Sequence, residues 1–401
     1  MNPTLRFRKA RNSADQLGQV FTPPAIASLL AKSLAVNSKS IVDVGAGMGA
    51  LAVAALQQCK KAEIILIEKD EKYAEKLLNL NIANSKILSE NALATGVLEK
   101  VISPLNKPVI LSNPPYGMLK LSDEINLDID SELPPVLYGG WVRGDAAFLS
   151  KIWSVSKTGS SLGLIVASAI ICGKPYESYR KRLVEEISGL TITQLHPRTF
   201  AKTEVQAFLI SGRKSTPGKR KVILRQADPN GNITNEIYVS QREAVERLDF
   251  AYHSTAKELK LGQHKTIGTL SELGGKIVRG SQSQNIFKKL GLAAFHTTDF
   301  TTNPKNLTLH GAVDGFKSAH QGDILIPRVG SRCLIREARV VSGSGLITDC
   351  IYRIRVPDIF HDRVWNTLNS DFGREWRKLI SRGSCAKYIT MNSLGELPIL
   401  L

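Results

Sequence analysis

The stretch VILSNPPYG, residues 109 to 117, closes an apolar run with an amide, two prolines and an aromatic ring. Asn113 offers a side-chain oxygen, Pro114 a carbonyl whose direction is held by two consecutive residues of fixed φ, and Tyr116 a ring face. Such a set suits an exocyclic amino group on a flat heterocycle. The two oxygens accept its N–H hydrogens while the ring stacks on Tyr116, so the nitrogen lone pair is drawn out of conjugation and aimed. No strong general base is required before attack, because the developing positive charge lies against preorganised oxygen dipoles.

Other residues could hold what that nitrogen attacks. IVDVGAGMGALAVAAL reads as a strand, a glycine-rich turn and a helix, in which Gly45, Gly47 and Gly49 let the backbone turn tightly and a ligand approach. The same glycines fit a dinucleotide fingerprint, so a nicotinamide cofactor stays open on this motif alone. Asp43 at the strand end favours an ammonium or sulfonium over a pyrophosphate, and S-adenosylmethionine carries both cations. Glu68, 25 residues later at the end of IILIEKD, is placed to accept both ribose hydroxyls of either cofactor. In KILSENALAT, Asn91 stands where an adenine-reading carboxylate is expected. In GQVFTPPAIASLLAKSL, Thr22 reads as an N-cap, Pro23 as the first helical residue, and Ile26, Leu29, Leu30 and Leu34 as one apolar face. Thr22 and the free amides beside it could also meet a ligand carboxylate.

The elements that must position these residues show two textures. Up to about residue 214, short β-rich runs (SIVDV, AEIILIE, PVILS, SLGLIVA, QAFLISG) alternate with helical patterns, which predicts βαβ units and a mostly parallel sheet covered on both faces. After SGRKSTPGKRK the texture turns to glycine-rich irregular β, beginning with a hairpin at Pro229, Asn230 and Gly231. With 401 residues the chain has room for two cored domains, and the boundary is expected between about 215 and 255. The formal charge of +17 suggests a polyanionic partner, and from residue 215 onward 27 Lys+Arg stand against 17 Asp+Glu. There is no long apolar run and no apolar core behind the basic amino terminus, so neither a membrane span nor a secretory signal is expected. Five scattered cysteines without CxxC or Cys/His spacing indicate no disulfide framework and no zinc site, and fit a cytoplasmic location.

Taken in order, GQVFTPP, DVGAGMG, IEKD and SNPPYG resemble the motifs of the gamma-class DNA adenine-N6 methyltransferases of bacterial restriction-modification systems. The resemblance implies a Rossmann-like S-adenosylmethionine-dependent methyltransferase sheet of α/β class, and a target adenine flipped out of double-stranded DNA. It further implies that Thr22, Asp43, Gly45, Gly47, Glu68 and Asn91 touch S-adenosylmethionine, and that Asn113, Pro114 and Tyr116 take the adenine. HPRTFAKTEVQAFLI resembles the family's base-stacking loop, which would set Phe200 beside Tyr116. Asn91 in place of the usual Asp departs from the pattern and bears on cofactor affinity, not on the reaction.

The second part has its own likeness. GDILIPRVGSR and LNSDFGREWRKLISRGSCAKYITMNSLGELPIL resemble target recognition domains of type I specificity subunits and of fused restriction-modification enzymes. The implied division is a catalytic domain over 1–240 and a β-rich α+β DNA recognition domain over 241–401. Arg279, Lys288, Lys289, Arg328, Arg332 and Arg336 lie on glycine-flanked loops suited to phosphates and to base edges, and the sequence does not choose the base reader among them. Fused enzymes carry a nuclease ahead of the methyltransferase. Only 17 residues precede Gly18 and no metal-carboxylate nuclease cluster is found, so the expectation is methylation without cutting and without a metal. Cutting would fall to a separate cognate restriction endonuclease, where one exists. Three alternatives stay open: an RNA or protein-glutamine N-methyltransferase, a non-catalytic DNA specificity protein, and a nicotinamide-dependent oxidoreductase that would leave SNPPYG idle.

Overall fold

A computed structural model describes residues 21–34, 38–122, 125, 127, 133–197, 199–200, 205–258, 264–300, 305–382 and 387–401. The chain divides after Asp249 into two compact units.

The first unit is built on a nine-stranded sheet. Its amino-terminal half alternates helix and strand: α1 (Pro24–Ser33), β1 (Ser40–Val44), α2 (Ala50–Gln58), β2 (Glu63–Ile67), α3 (Glu71–Asn79), β3 (Ser85–Leu88), α4 (Val97–Ile102) and β4 (Val109–Ser112). A small three-stranded sheet follows, β5 (Met118–Lys120), β6 (Leu137–Tyr138) and β7 (Trp141–Arg143), and then α5 (Gly144–Val155). The remainder is β8 (Ser161–Ala167), α6 (Ser168–Cys172), α7 (Glu177–Glu186), β9 (Ile187–Gln194), β10 (Ala207–Lys214), β11 (Val222–Ala227), β12 (Ile233–Val239) and α8 (Gln241–Glu246). Strand order is β12-β11-β9-β10-β8-β4-β1-β2-β3. β1, β2 and β4 read as continuous β-branched runs because parallel central strands are covered on both faces, and all four residues of β4 are buried. β1 and β2 run one way from the centre and β4 lies on the other side of β1, so the carboxyl ends of β1 and β4 form the switch point where such sheets take ligands.

The expected hairpin at Pro229 to Gly231 is present, with Gly231 at φ 82°, but it belongs to the first unit. β11 extends the main sheet by pairing parallel with β9, Ile223 opposite Thr191. The buried Arg180 of α7 donates from Nε to the Val245 carbonyl at 2.8 Å, tying the α8 region to α7. These contacts carry the division past residue 240 to Asp249.

The second unit starts with α9 (Phe250–Glu258), β13 (Thr266–Thr269), β14 (Lys276–Arg279), α10 (Gln284–Lys289), β15 (Ala294–Phe295), β16 (Lys305–Leu309), β17 (Ser318–His320) and β18 (Ile324–Pro327). It continues through α11 (Arg332–Ile335), β19 (Ala338–Ile347), β20 (Ile351–Arg355), α12 (Asp358–Asn369), α13 (Asp371–Ile380), α14 (Met391–Gly395) and β21 (Pro398–Leu400). β14, β20, β18, β19 and β15 form the path of a seven-stranded sheet, and β13 pairs with β21. Ile324, Ile326, Tyr352, Ile354, Val364, Trp365 and Leu368 pack one core between sheet and helices. Beneath it, Glu337 is fully buried and neutralised by Arg374 and Arg377, as a buried carboxylate must be.

Candidate functional site

Residues from seven segments converge at the switch point. β1 leads into Gly45, Gly47 and Gly49, all at positive φ of 76°, 54° and 75°, conformations that side-chain-bearing residues rarely adopt. The amides of Gly45 and Ala46 both donate to the Ile67 carbonyl, at 2.9 and 3.0 Å, which folds the loop against the end of β2. Glu68, next after β2, is 4% exposed and clamps the loop: Oε2 accepts from the Gly47 amide at 2.7 Å and Oε1 from the Asp70 amide at 2.9 Å. Each oxygen retains acceptor capacity for a ligand hydroxyl.

A cavity opens here, lined by Phe21, Thr22, the loop from Gly45 to Met48, Ala50, Leu51, Ile67, Glu68, Lys69, the turn from Glu90 to Leu93, Asn113, Pro115, Leu119, Ile125 and Phe148. Thus Thr22, Gly45, Gly47, Glu68, Asn91 and Asn113, named from sequence, are brought together. The lining pairs a carboxylate and backbone amides with apolar side chains, which suits a ligand that has both hydroxyls and a flat ring.

Several expectations are corrected in detail. Asp43 is 1% exposed and is not among the lining residues; its Oδ2 accepts from the Ala52 amide at 3.1 Å and anchors α2. Burial, with the Glu68 charge adding to it against the Ala52 hydrogen bond, pushes its pKa up to about 8, toward the neutral form. Asn91 turns its Oδ1 to the Leu93 amide at 3.1 Å, shaping the turn that enters the cavity wall. The N-cap of α1 is Pro23, not Thr22, and no side chain caps it. Pro23 and Pro24 bring no amide to the first turn, and those of Ile26 and Ala27 both reach the Pro23 carbonyl.

The Thr22 hydroxyl is engaged elsewhere: it accepts from Asn113 Nδ2 at 2.9 Å. That bond sets which way the amide faces, and Asn113 Oδ1 accepts from the Tyr116 hydroxyl at 2.8 Å. Ser112 holds the strand end by donating to the Val44 carbonyl at 2.6 Å. Tyr116 is not among the residues that line the cavity. It is 7% exposed and meets Phe200, 4% exposed, edge to face with centroids 6.5 Å apart, in the core shared with Ile26 and Leu30. Pro114 is buried as well. The six basic residues named in the second part lie in the second unit and contribute nothing to this cavity.

Sequence reading missed Phe148 and the Arg143–Asp145 pair. A Cβ on Gly45 would stand 3.3 Å from the Phe148 ring, so that ring closes on the glycine loop. Asp145, fully buried, takes both nitrogens of Arg143 at 3.0 and 3.1 Å and the amides of Ala146 and Ala167, joining α5 to β8. Gly144 leaves no room for a Cβ, which would fall 2.2 Å from the Pro115 carbonyl. RGDAAF was the available signal: a buried acid two residues after an arginine, opening an apolar helix. Among the described residues no group of three or more metal-ligating side chains comes together, and no helix is long and apolar enough to cross a membrane.

A family model described as N-6 DNA methylase matches residues 5–264. No curated protein matches the chain. Among solved structures it is similar to a protein described as a modification subunit of a type I restriction enzyme from Vibrio vulnificus YJ016, at 18% identity and TM-score 0.43, covering 53% of this chain and 48% of that one. It is also similar to a type I restriction-modification system methyltransferase subunit from Streptococcus thermophilus, at 18% identity and TM-score 0.44, covering 58% and 52%. The chain spans about half the length of these two proteins.

Proposed function

The chain belongs to the N-6 DNA methylase family, and from that membership together with the geometry of the cavity we propose that it transfers a methyl group from S-adenosylmethionine to the N6 amino group of an adenine flipped out of double-stranded DNA. The observation that carries the reading is the Asn113 side chain: an amide oriented by Thr22, at the end of a central strand, on the wall of a cavity floored by a positive-φ glycine loop.

The residues present fit the cofactor. Gly45 and Gly47 give its backbone-facing side close approach, Glu68 stands ready to accept from ribose hydroxyls, and Leu93, Ile125 and Phe148 are apolar partners for a flat purine. When bound, the cofactor supplies an electrophilic methyl carbon on a sulfonium. Asn113 Oδ1 and the Pro114 carbonyl accept the two N–H hydrogens of the adenine amine, which localises the nitrogen lone pair and stabilises the positive charge that grows as the N–C bond forms. Transfer would leave the cofactor as a neutral thioether, while Asn113 Oδ1 and the Pro114 carbonyl would hold the amine hydrogens until the surplus proton passes to water. To receive the amine, Asn113 exchanges the Tyr116 hydroxyl for the substrate N–H. Tyr116 then turns its ring toward the base.

The second unit supports a target-recognition role through its basic balance, and the modification component of a restriction-modification system is the setting this reading implies. Incubation with methyl-labelled S-adenosylmethionine and separate pools of duplex DNA, RNA and protein tests the assignment. Label is expected in duplex DNA and, after digestion, in N6-methyladenine. Label confined to RNA or protein, or cofactor binding without transfer, overturns it.

A further inference from the structure

Six basic residues of the second unit are candidates for meeting DNA, and two of them are held differently from the rest. Arg279 ends β14 and Arg328 follows β18; β20 lies between these strands, and its entry turn carries Asp349. Both arginines donate their Nε–H to the same atom, the Asp349 backbone carbonyl, at 2.9 and 3.0 Å. Arg279 Nη2 also donates to Asp349 Oδ2 at 3.0 Å.

The turn itself is bolted down by backbone. The Asp349 amide donates to the Gln282 carbonyl at 2.8 Å, the Thr348 amide to Phe295 at 3.1 Å, and the Arg328 amide to Cys350 at 2.7 Å. Gly280 passes so close that a Cβ would sit 2.2 Å from the Thr348 carbonyl.

Ion-pair strength does not account for this arrangement. The Arg279–Asp349 pair has side chains 46% and 27% exposed, and ion pairs open to water contribute little. What the shared carbonyl does accomplish is orientation. Gripping a guanidinium at Nε, in Arg279 with Nη2 held by Asp349 as well, fixes its plane, and the rotamer entropy of a surface arginine is already spent. A phosphate needs no such preparation, since a flexible cation finds it. The O6/N7 edge of guanine does, because bidentate pairing demands a plane in register. Among the described residues, Lys288 and Lys289, exposed at the carboxyl end of the short α10, and the exposed Arg332 of α11 have no comparable anchor.

We propose that Arg279 and Arg328 are the base-reading residues of the second unit, a preorganised pair directed at guanine in the major groove, and that Lys288, Lys289 and Arg332 hold the phosphates around them. The proposal rests on the reading of the chain as a DNA methyltransferase only in that both require duplex DNA.

Its test is therefore a binding selection that does not depend on methyl transfer. The full chain is mixed with a randomised duplex library, bound duplexes are recovered and sequenced, and affinity for the selected motif is followed across a salt series. Wild-type protein is expected to select a motif containing guanine. Arg279→Ala and Arg328→Ala are each expected to lose discrimination at a guanine position by about ten-fold or more, with the salt slope nearly unchanged. Lys288→Ala and Lys289→Ala should keep the motif and flatten the slope by about one unit each. Arg279→Lys and Arg328→Lys preserve charge and guard against misfolding; they too should lose the guanine preference. An unchanged motif in the arginine variants, a uniform loss across all sequences with a flatter slope, or a wild-type chain that selects no motif overturns the proposal. Motif selection without methylation would instead refute the methyltransferase reading and leave this one standing.

Discussion

At the scale of single residues, the site depends on which way one amide faces. Thr22 takes the Asn113 Nδ2–H and so presents Oδ1 to the position now filled by the Tyr116 hydroxyl. Asn113→Ala removes the acceptor that meets developing charge, and methyl transfer is expected to fall at least 100-fold, the loss typical for one preorganised dipole. Cofactor affinity, measured by calorimetry, should stay within about two-fold; transfer at the wild-type rate would remove Asn113 from the chemistry. Tyr116→Phe deletes the hydroxyl that occupies Oδ1 but keeps a ring. One neutral hydrogen bond is worth about 0.5–1.5 kcal/mol net, so KM for DNA should drop by about two- to ten-fold while kcat holds. A raised KM would show that the hydroxyl aids substrate instead of competing with it. Asp43 yields a pH prediction. Its folded-state pKa of about 8 lies above the ordinary carboxylate value, so the folded chain holds the extra proton between about pH 4 and 8 and stability falls as pH rises through that window. Asp43→Asn removes the titration, and the decline of Tm from pH 5 to pH 8.5 should become shallower than in wild type. Parallel profiles would show that the burial of Asp43 does not burden the fold.

At the scale of elements, the glycine loop illustrates how a motif acts through backbone. Gly49 begins α2 at φ 75°, and a Cβ there would lie 2.8 Å from Leu77 Cδ2 of α3. Gly49→Ala combines a left-handed alanine, about 1–2 kcal/mol, with displacement of a buried leucine. A Tm lowered by several degrees is expected, together with weaker cofactor binding because the loop and the start of α2 move together. A variant as stable as wild type would mean that α2 can shift at little cost. The first helix shows the reverse case. FTPP carries the signature of a capped helix, yet the Thr22 hydroxyl accepts from Asn113 at the end of another strand and Pro23 takes the N-cap position. Local pattern placed the helix within a residue of its true start and still misassigned the side chain.

At the scale of the molecule, the two compact units divide the work that the reading requires, with the cavity wholly within the first. A fragment ending at Asp249 is expected to unfold cooperatively and to bind S-adenosylmethionine with affinity close to that of the full chain, while losing sequence preference on DNA. Thermal melts and cofactor titration check the first part and the duplex selection checks the second. A fragment that keeps the full motif would place recognition outside the second unit.

The order of β-rich runs and helical patterns was enough to predict a central parallel sheet, because strands buried on both faces must be apolar throughout. GAG, IEKD and SNPPYG marked the ligand edge, because left-handed turns, strand-end acids and paired prolines have few other uses. Thr22, Glu68, Asn91 and Asn113 line one cavity. What the sequence could not contain was the partner of each polar atom. Whether Asp43 bonds the amide of Ala52, whether Tyr116 is buried against Phe200, and which two of six basic residues share a carbonyl all depend on contacts between segments far apart in the chain. Residue type sets what a side chain can bond. Only packing in three dimensions decides what stands within 3 Å of it.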